Sequence, residues 1–197
     1  MKTKPFFFSL VLTLFITAAC SSGGQGADTT DLPTSPQVSP ARVSSATGTF
    51  FAINEIGLGL NGFVALTNFT NVPASLAGLH LCQGSACFEL PDAIVGAGET
   101  VRISVGDGTG YEGVVATRAT LGEMRPSDGE IALFSSQEPD DPQAMLVYFQ
   151  WGSTPHNLTQ TAIDAGLWVE GGYGPSSQNA TRLFKVAETG LWLFEEP

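Results

Sequence analysis

Short segments in which apolar and polar residues alternate recur between residues 50 and 151, and they restrict the fold more than any other feature. The clearest segment, residues 101–105, reads VRISV and places three apolar side chains on one face and two polar ones on the other. Such alternation is typical of a strand with one buried face. The same pattern predicts strands over residues 50–56, 63–68, 76–82, 87–90, 130–134 and 145–151.

Turn-forming residues separate these segments. Glycine, proline, asparagine and aspartate cluster at residues 57–62, 71–73, 96–98, 106–110, 127–129 and 139–142. Only residues 159–166 have a composition that favours a helix, and that helix is short. Many short strands with this punctuation indicate a sandwich or a barrel. We therefore predict an all-β fold.

The N-terminal segment has the order of a bacterial export signal. Lys2 and Lys4 precede an apolar stretch at residues 6–16, and small residues lead to Cys20. The apolar stretch is too short for a permanent transmembrane helix. The residues before the cysteine, Thr-Ala-Ala, resemble the lipobox of bacterial lipoproteins. That resemblance implies a signal peptide over residues 1–19 and a lipid on Cys20; an ordinary cleaved signal with an incidental cysteine is the alternative.

The lipobox resemblance also implies a location. Lipid on Cys20 would anchor the chain to a membrane of the cell envelope, and two or three acyl chains together anchor stably. Ser21, rather than aspartate, follows the cysteine. By the sorting pattern of bacterial lipoproteins, this implies the outer membrane where the organism has one, with the domain facing the periplasm or the surface.

A flexible linker and one acidic domain follow. Residues 20–48 are dominated by glycine, serine, threonine and proline, which is typical of a tether. Residues 49–197 have the size of a single domain. Removal of residues 1–19 takes away two basic residues and no acid, which leaves six basic against 19 acidic residues and a net charge of −13. Because nucleic-acid binding requires a basic surface, we expect no nucleic-acid partner.

Two cysteines remain once Cys20 is assigned to the lipid. Cys82 and Cys87 are separated by four residues between apolar flanks. In an oxidising compartment this spacing favours a disulfide across a tight hairpin. A redox motif would have two intervening residues, and a zinc site would need further ligands nearby. We predict a structural disulfide.

The ordered segments resemble a known family. They are residues 53–56 (INEI), 62–68 (GFVALTN), 76–81 (LAGLHL), 90–91 (LP), 98–101 (GETV), 129–134 (GEIALF) and 147–152 (VYFQWG). Together they resemble the lamin-tail domain of nuclear lamins and bacterial surface proteins. The resemblance implies an immunoglobulin-like antiparallel β-sandwich over residues 49–152, with residues 153–197 as a less regular C-terminal arm packed on it. Ala65 stands where the family usually has glutamate, so no role of that acid is implied.

Catalytic and metal-binding patterns are weak. The chain has no G-x-S-x-G motif, and its two histidines, His80 and His156, have no evident partners. His80 alternates with leucines and is expected to face solvent. The acidic turns at residues 107–112 and 138–141 lack EF-hand spacing, which favours solvated loop charges over calcium ligands. We therefore predict no catalytic residue, no metal site and no cofactor.

Three aromatic residues in the C-terminal arm are the candidate ligand contacts. Trp168, Tyr173 and Trp192 lie among glycine and serine residues. Exposed rings of this kind stack on sugars or clamp peptides, whereas the simpler interpretation is packing in the core.

These features predict a non-catalytic, lipid-anchored envelope protein whose β-sandwich is an interaction module. The family resemblance implies binding and anchoring rather than catalysis, so adhesion or assembly of envelope proteins is the expected role, with an envelope protein or a polysaccharide as ligand. One alternative is an enzyme or accessory subunit that acts on extracellular polymer. The other is a calcium-handling lipoprotein.

Overall fold

The computed structural model describes residues 50–105, 114–119 and 121–197, and it consists of two main β-sheets that share one core. The larger sheet has six strands in the order β12-β11-β1-β2-β7-β8. Its members are β1 (Phe51–Gly57), β2 (Phe63–Asn68), β7 (Thr100–Val105), β8 (Val114–Ala119), β11 (Arg182–Lys185) and β12 (Trp192–Glu195).

The smaller main sheet has four strands in the order β10-β9-β4-β5, and a separate two-stranded ribbon joins β3 to β6. These elements are β3 (Ala74–Ser75), β4 (His80–Gln83), β5 (Ala86–Glu89), β6 (Ile94–Val95), β9 (Gly129–Phe134) and β10 (Met145–Trp151). The one helix among the described residues is α1 (Thr159–Asp164).

The predicted all-β sandwich is confirmed. All seven predicted strands correspond to strands of the structure, and the short helix begins at the predicted residue, Thr159. Strands β3, β6, β8, β11 and β12 were not predicted. The pairing is antiparallel except between β7 and β8, which are parallel.

The core lies between the inner faces of the two main sheets. Val64 and Leu66 of the six-stranded sheet and Ile131 and Leu133 of the four-stranded sheet are fully buried. Trp151 is also fully buried, and its indole covers Gly129, where a Cβ atom would lie 2.3 Å from a ring carbon. The glycine that opens β9 is therefore required by the ring.

The C-terminal region is divided between two places. Residues 182–195 contribute β11 and β12 to the six-stranded sheet, where β11 pairs with β1. Residues 156–174, which we call the cover, pack on the outer face of the four-stranded sheet. Ala162 of α1 is fully buried, and Gly174 donates its N–H to Gln150 O of β10 at 2.9 Å.

Candidate functional site

The open edge of the six-stranded sheet is the feature best suited to binding. Strand β12 is the last strand of that sheet and pairs only with β11 among the described strands. Val186 donates to Leu191 O at 2.8 Å, and hydrogen-bonded pairs alternate along an antiparallel ladder. The backbone N–H and C=O groups of Trp192 and Phe194 therefore point away from β11, which is the arrangement that accepts an added strand.

The side chains of β12 make this edge apolar. Leu193 is 47% exposed and Phe194 is 40% exposed. The corresponding edge of the other sheet, β10, is partly closed, because Gly174 forms a parallel bridge with Trp151. On this side of the sandwich, β12 is thus the more accessible edge.

A chain of ion pairs crosses the outer face of the six-stranded sheet and ends on β12. Arg102 of β7 bonds Glu55 of β1 at 3.0 Å, and Arg182 of β11 bonds the other oxygen of Glu55 at 2.9 Å. Arg182 also bonds Glu195 of β12. Ala65 lies between Glu55 and Arg102 in the register, so its small side chain leaves Arg102 room to reach across β2. We call the four charged residues the charge ladder.

The predicted aromatic residues lie together, and two of them contribute to packing. Trp168 and Trp192 both contact Phe149 of β10, at ring-centroid distances of 6.0 Å and 3.9 Å. Trp168 is buried, and its indole N–H donates to Gly172 O at 2.9 Å. Tyr173 is half-buried and lies near Tyr148, whose pKa is raised above its ordinary value chiefly by burial. The faces of Trp168 and Trp192 are therefore partly or wholly occupied by protein.

The position of Trp168 is set by the end of α1. Gly166 adopts a φ of +69°, a conformation that favours glycine and ends the helix. The N–H groups of Leu167 and Trp168 then both donate to Ala162 O, at 2.9 and 3.1 Å. This turn directs the chain back towards the four-stranded sheet, where Trp168 packs edge-on against Tyr148.

A buried polar cluster lies beneath the cover, and sequence reasoning did not find it. Its members, all of them buried, are Glu130, Tyr148, Gln150 and Thr159. The Tyr148 hydroxyl lies 2.9 Å from Glu130 Oε2, 2.8 Å from Gln150 Oε1 and 3.1 Å from Thr159 Oγ1. Thr159 donates to Gln150 Oε1 at 2.7 Å.

Two further bonds fasten the cover to this cluster. Gln150 Nε2 donates to Gly172 O at 2.7 Å, and the N–H of Leu158, at the start of α1, donates to Glu130 Oε2 at 3.0 Å. The cluster thus satisfies polar groups at both ends of the cover, which would otherwise be buried without partners.

Burial raises the pKa of Glu130 above its ordinary value, because the ionised form loses its hydration. Hydrogen bonds from Tyr148 and from the Leu158 N–H, and the charge of His156, oppose the rise. Four oxygen–oxygen contacts of 3.1 Å or less connect the cluster. Each of these contacts needs a hydrogen between its two oxygens. When Glu130 is ionised, only the hydroxyls of Tyr148 and Thr159 supply one, and a proton on Glu130 would supply a third. Burial, the largest of these influences, therefore leaves the pKa of Glu130 above its ordinary value.

The predicted disulfide is present. Cys82 and Cys87 are bonded and lie directly opposite each other on β4 and β5. The loop between the strands has two residues, Gly84 and Ser85, and not the four expected from the cysteine spacing. The Cα atoms are 4.1 Å apart, closer than the roughly 5–6 Å typical of disulfides. Cys82 and Cys87 form a non-hydrogen-bonded pair of the antiparallel ladder, and the Cα atoms of such pairs approach to about 4.5 Å.

The expectation that His80 faces solvent is wrong. His80 is 9% exposed, and its Nδ1 atom is buried with no hydrogen-bond partner in the part of the chain that the structure describes. It lies on β4 opposite Phe134 and Glu89. By the two-residue period of a strand, His80 shares the outer face of the four-stranded sheet with Cys82, and this is the face on which the cover packs. His156 lies in the cover itself, with Nε2 3.2 Å from Trp151 O.

The remaining predicted sites lie partly outside the described residues. Cys20 and the linker precede residue 50, and the acidic turn at residues 107–112 overlaps the undescribed residues 106–113. In the second acidic turn, Asp141 accepts a hydrogen bond from the Gln143 N–H at 2.8 Å. Among the described residues, no group of three or more histidine, cysteine, aspartate and glutamate side chains is placed to hold a metal ion. No described helix has the length and apolar character needed to cross a membrane.

Local sequence carried little signal for the polar cluster. Glu130 and Gln150 occupy polar positions of alternating strands, which normally face solvent, and Thr159 follows in a separate segment. No protein-family model matches this chain, and no curated protein matches it.

Proposed function

We propose that this chain is a lipid-anchored envelope protein whose β-sandwich binds another envelope protein without catalysing a reaction. The observation that carries the proposal is the open edge of β12, with outward backbone groups at Trp192 and Phe194 and the exposed side chain of Leu193. Strand addition at such an edge gains affinity from main-chain hydrogen bonds and specificity from alternate side chains. Adhesion and envelope assembly both use binding of this kind.

The anchorage part of the proposal is supported by the sequence before the domain. The tripartite signal ends at Cys20, and residues 21–48 have the composition of a flexible tether. A tether of that length has a mean reach of about 30 Å. Phe50 and Phe69, both exposed, lie at the end of the sandwich where the tether enters, and the Phe69 N–H donates to Phe50 O.

A protein ligand is favoured over a polysaccharide by the state of the aromatic residues. Sugar binding requires an accessible ring face. Trp168 is buried and Trp192 lies against Phe149, so the arm contributes its aromatic area mainly to the core. The lamin-tail resemblance agrees with a binding module, and its family is known for anchoring.

The polymer-active enzyme would need two converging carboxyl groups that differ in pKa. The polar cluster offers one carboxyl group, Glu130, which is 3% exposed and is covered by the segment that begins at His156. A substrate would have to displace the cover to reach it. Glu130 is better explained as the acceptor that holds Leu158 and Tyr148 in place.

Anchorage is tested by Cys20→Ala. We expect the wild-type chain to partition into the detergent phase and the variant to partition into the aqueous phase, because the lipid on Cys20 is the proposed anchor. A variant that lacks lipid and stays in the membrane would contradict the anchorage proposal.

Edge binding is tested by Phe194→Pro, which removes an outward N–H without removing a bond to β11. Envelope extract is passed over the immobilised full chain, and we expect a partner that wild type retains and Phe194→Pro loses. Ala187→Pro, in the exposed turn before β12, is the matched control and should retain the partner. A partner retained equally by all three chains would contradict binding at this edge. The non-catalytic role is tested separately: sustained turnover of glycosidase, esterase, phosphatase or peptidase substrates would contradict it.

A further inference from the structure

The charge ladder alternates in sign across the sheet and stops at the open edge. From β7 to β12 its charges are positive at Arg102, negative at Glu55, positive at Arg182 and negative at Glu195. Each inner member contacts opposite charges on two sides. Among the described residues, the Glu195 side chain contacts an opposite charge on one side only, at Arg182, and it is 52% exposed.

The register fixes which side chains an added strand would meet. Leu193 and Glu195 lie opposite Phe184 and Arg182 and therefore share the outer face of the sheet, while Phe194 lies opposite the fully buried Leu183. Directly opposed side chains on adjacent strands have Cβ atoms about 4.5–5.5 Å apart. A strand added beside β12 thus places one side chain next to Glu195 and another, two residues along, next to Leu193.

We infer that the partner of β12 is an extended segment with a basic residue beside Glu195 and an apolar residue two positions away on the same face. This inference rests on the proposed function and names the chemistry of its ligand. A lysine or arginine at that place would extend the alternation of the charge ladder by one strand. A carboxylate there would face Glu195, and like charges directly opposed on adjacent strands are destabilising.

A second copy of this chain fits the same edge less well. The backbone groups that face outward belong to Trp192 and Phe194, so a twofold pairing joins these residues to themselves or to each other. In those registers Glu195 of one copy lies beside Thr189, Leu191 or Leu193 of the other and meets no cation. The mature chain also carries a net charge of −13, which opposes self-association.

The experiment uses the full chain in detergent and two capped nine-residue peptides of alternating valine and threonine, in which valine also replaces the threonine two positions on either side of the centre, so that an apolar side chain can meet Leu193. One peptide has lysine and the other glutamate at the central threonine position. We expect the lysine peptide to bind about fivefold more tightly, which corresponds to about 1 kcal/mol for an exposed charge pair against a like-charge contact. Fluorescence anisotropy of the labelled peptides measures both dissociation constants.

Substitutions separate the Glu195 contact from general attraction to an acidic protein. Glu195→Gln should reduce the ratio of the two dissociation constants to about one. Glu188→Gln removes another exposed acid, in the turn before β12, and should leave the ratio unchanged. A ratio that survives Glu195→Gln, or that falls equally in both variants, would overturn the inference.

The failures of the two proposals are distinguishable. If both peptides bind equally and Phe194→Pro abolishes both, the edge binds strands and only the charge inference is overturned. If neither peptide binds, or if Phe194→Pro does not change their binding, then strand addition at β12 and the charge inference are both overturned. Sedimentation that shows a dimer disrupted by Phe194→Pro would assign the edge to a second copy.

Discussion

The polar residues on the outer faces of the two main sheets have different partners and different surroundings. On the six-stranded sheet, the Glu55 side chain is 14% exposed and pairs with two arginines whose side chains are 38% and 40% exposed. On the four-stranded sheet, Glu130 bonds to Tyr148 and Leu158 and is 3% exposed. The difference lies in residues 156–174, which pack over Glu130, whereas the arginine side chains that pair with Glu55 are partly in water.

This contrast shows that the same residue type has different roles in the two sheets. An ion pair in water contributes little to stability, because both charges are well solvated when they are apart. A buried carboxyl group contributes through its partners, since their donors lose their acceptors if it is removed. The charge ladder is thus available for recognition, whereas the polar cluster is committed to holding the cover.

The largest expected effect is that of Glu130→Ala. The N–H of Leu158 would lose its acceptor and a small cavity would form beneath α1, so we expect a loss of about 3 kcal/mol in the free energy of unfolding. Glu55→Ala, the matched change on the open face, should lose about 1 kcal/mol. Urea denaturation of both variants measures this difference. Equal losses in the free energy of unfolding would contradict the proposal that the two outer faces contribute differently to stability.

The disulfide contributes to the free energy of unfolding independently of the cover. Replacement of Cys82 and Cys87 by serine should lower the free energy of unfolding by about 2 kcal/mol, because the short loop is no longer closed in the unfolded chain. Unlike the effect of Glu130, this loss should be the same at pH 5 and pH 8. Urea denaturation at both pH values is the measurement, and a loss that depends strongly on pH would show that the bridge is coupled to the titrating cluster.

The buried acid should also make stability depend on pH. Because the folded pKa of Glu130 is raised, the folded state holds this proton more tightly than the unfolded chain does. Its contribution is complete below the unfolded value of 4.5 and is lost as pH rises through the folded pKa. The loss is at most about 1.4 kcal/mol per pH unit.

Glu130→Gln tests this pH dependence, because it keeps the shape and hydrogen bonds of the protonated acid. The wild-type chain should lose stability relative to this variant as pH rises from 4.5 towards neutrality. His156 and Tyr148 are the other titratable groups that act on Glu130, so His156→Asn in the same background is the control. If the free energy of unfolding of wild type and of Glu130→Gln changed in parallel with pH, Glu130 would not be the source of the pH dependence.

The fold was predictable where one strand face is apolar and the other polar. Residues 101–105 follow that pattern, and they form strand β7 in the structure. Strands β11 and β12 read RLFK and WLFE, which are too short and too apolar on both faces to show a period. The place of β11 beside β1 depends on pairing between distant parts of the chain, as the bond between Arg182 and Glu55 illustrates.

The candidate site was predictable only in part. The sequence identified Trp168, Tyr173 and Trp192 as neighbours in an arm but did not identify the ring of Phe149 on which two of them meet. His80 and Glu130 have the spacing of solvent-facing strand residues, and both are buried. Glu130 is buried because a later segment packs over it, as its hydrogen bond from Leu158 shows. Local periodicity reports the two faces of a strand, and it does not report what covers the outer face.

The smallest expected effect concerns the open face itself. Arg102→Gln removes one of the two partners of Glu55 and a contact of the guanidinium with the Phe63 ring, 5.0 Å from its centroid. Because the Arg102 side chain is 38% exposed, we expect a loss of only about 0.5 kcal/mol at low salt. At about 1 M NaCl, where the Debye length is about 3 Å, the difference from wild type should become smaller still.

Urea denaturation of Arg102→Gln at both salt concentrations measures this effect, with Glu130→Ala as the comparison. The effect of Glu130→Ala should change little with salt, because its lost partner is a buried N–H group. A loss at Arg102 as large as the loss at Glu130, and equally insensitive to salt, would mean that the charge ladder is structural. The outer faces of the two sheets would then differ less than their exposure indicates.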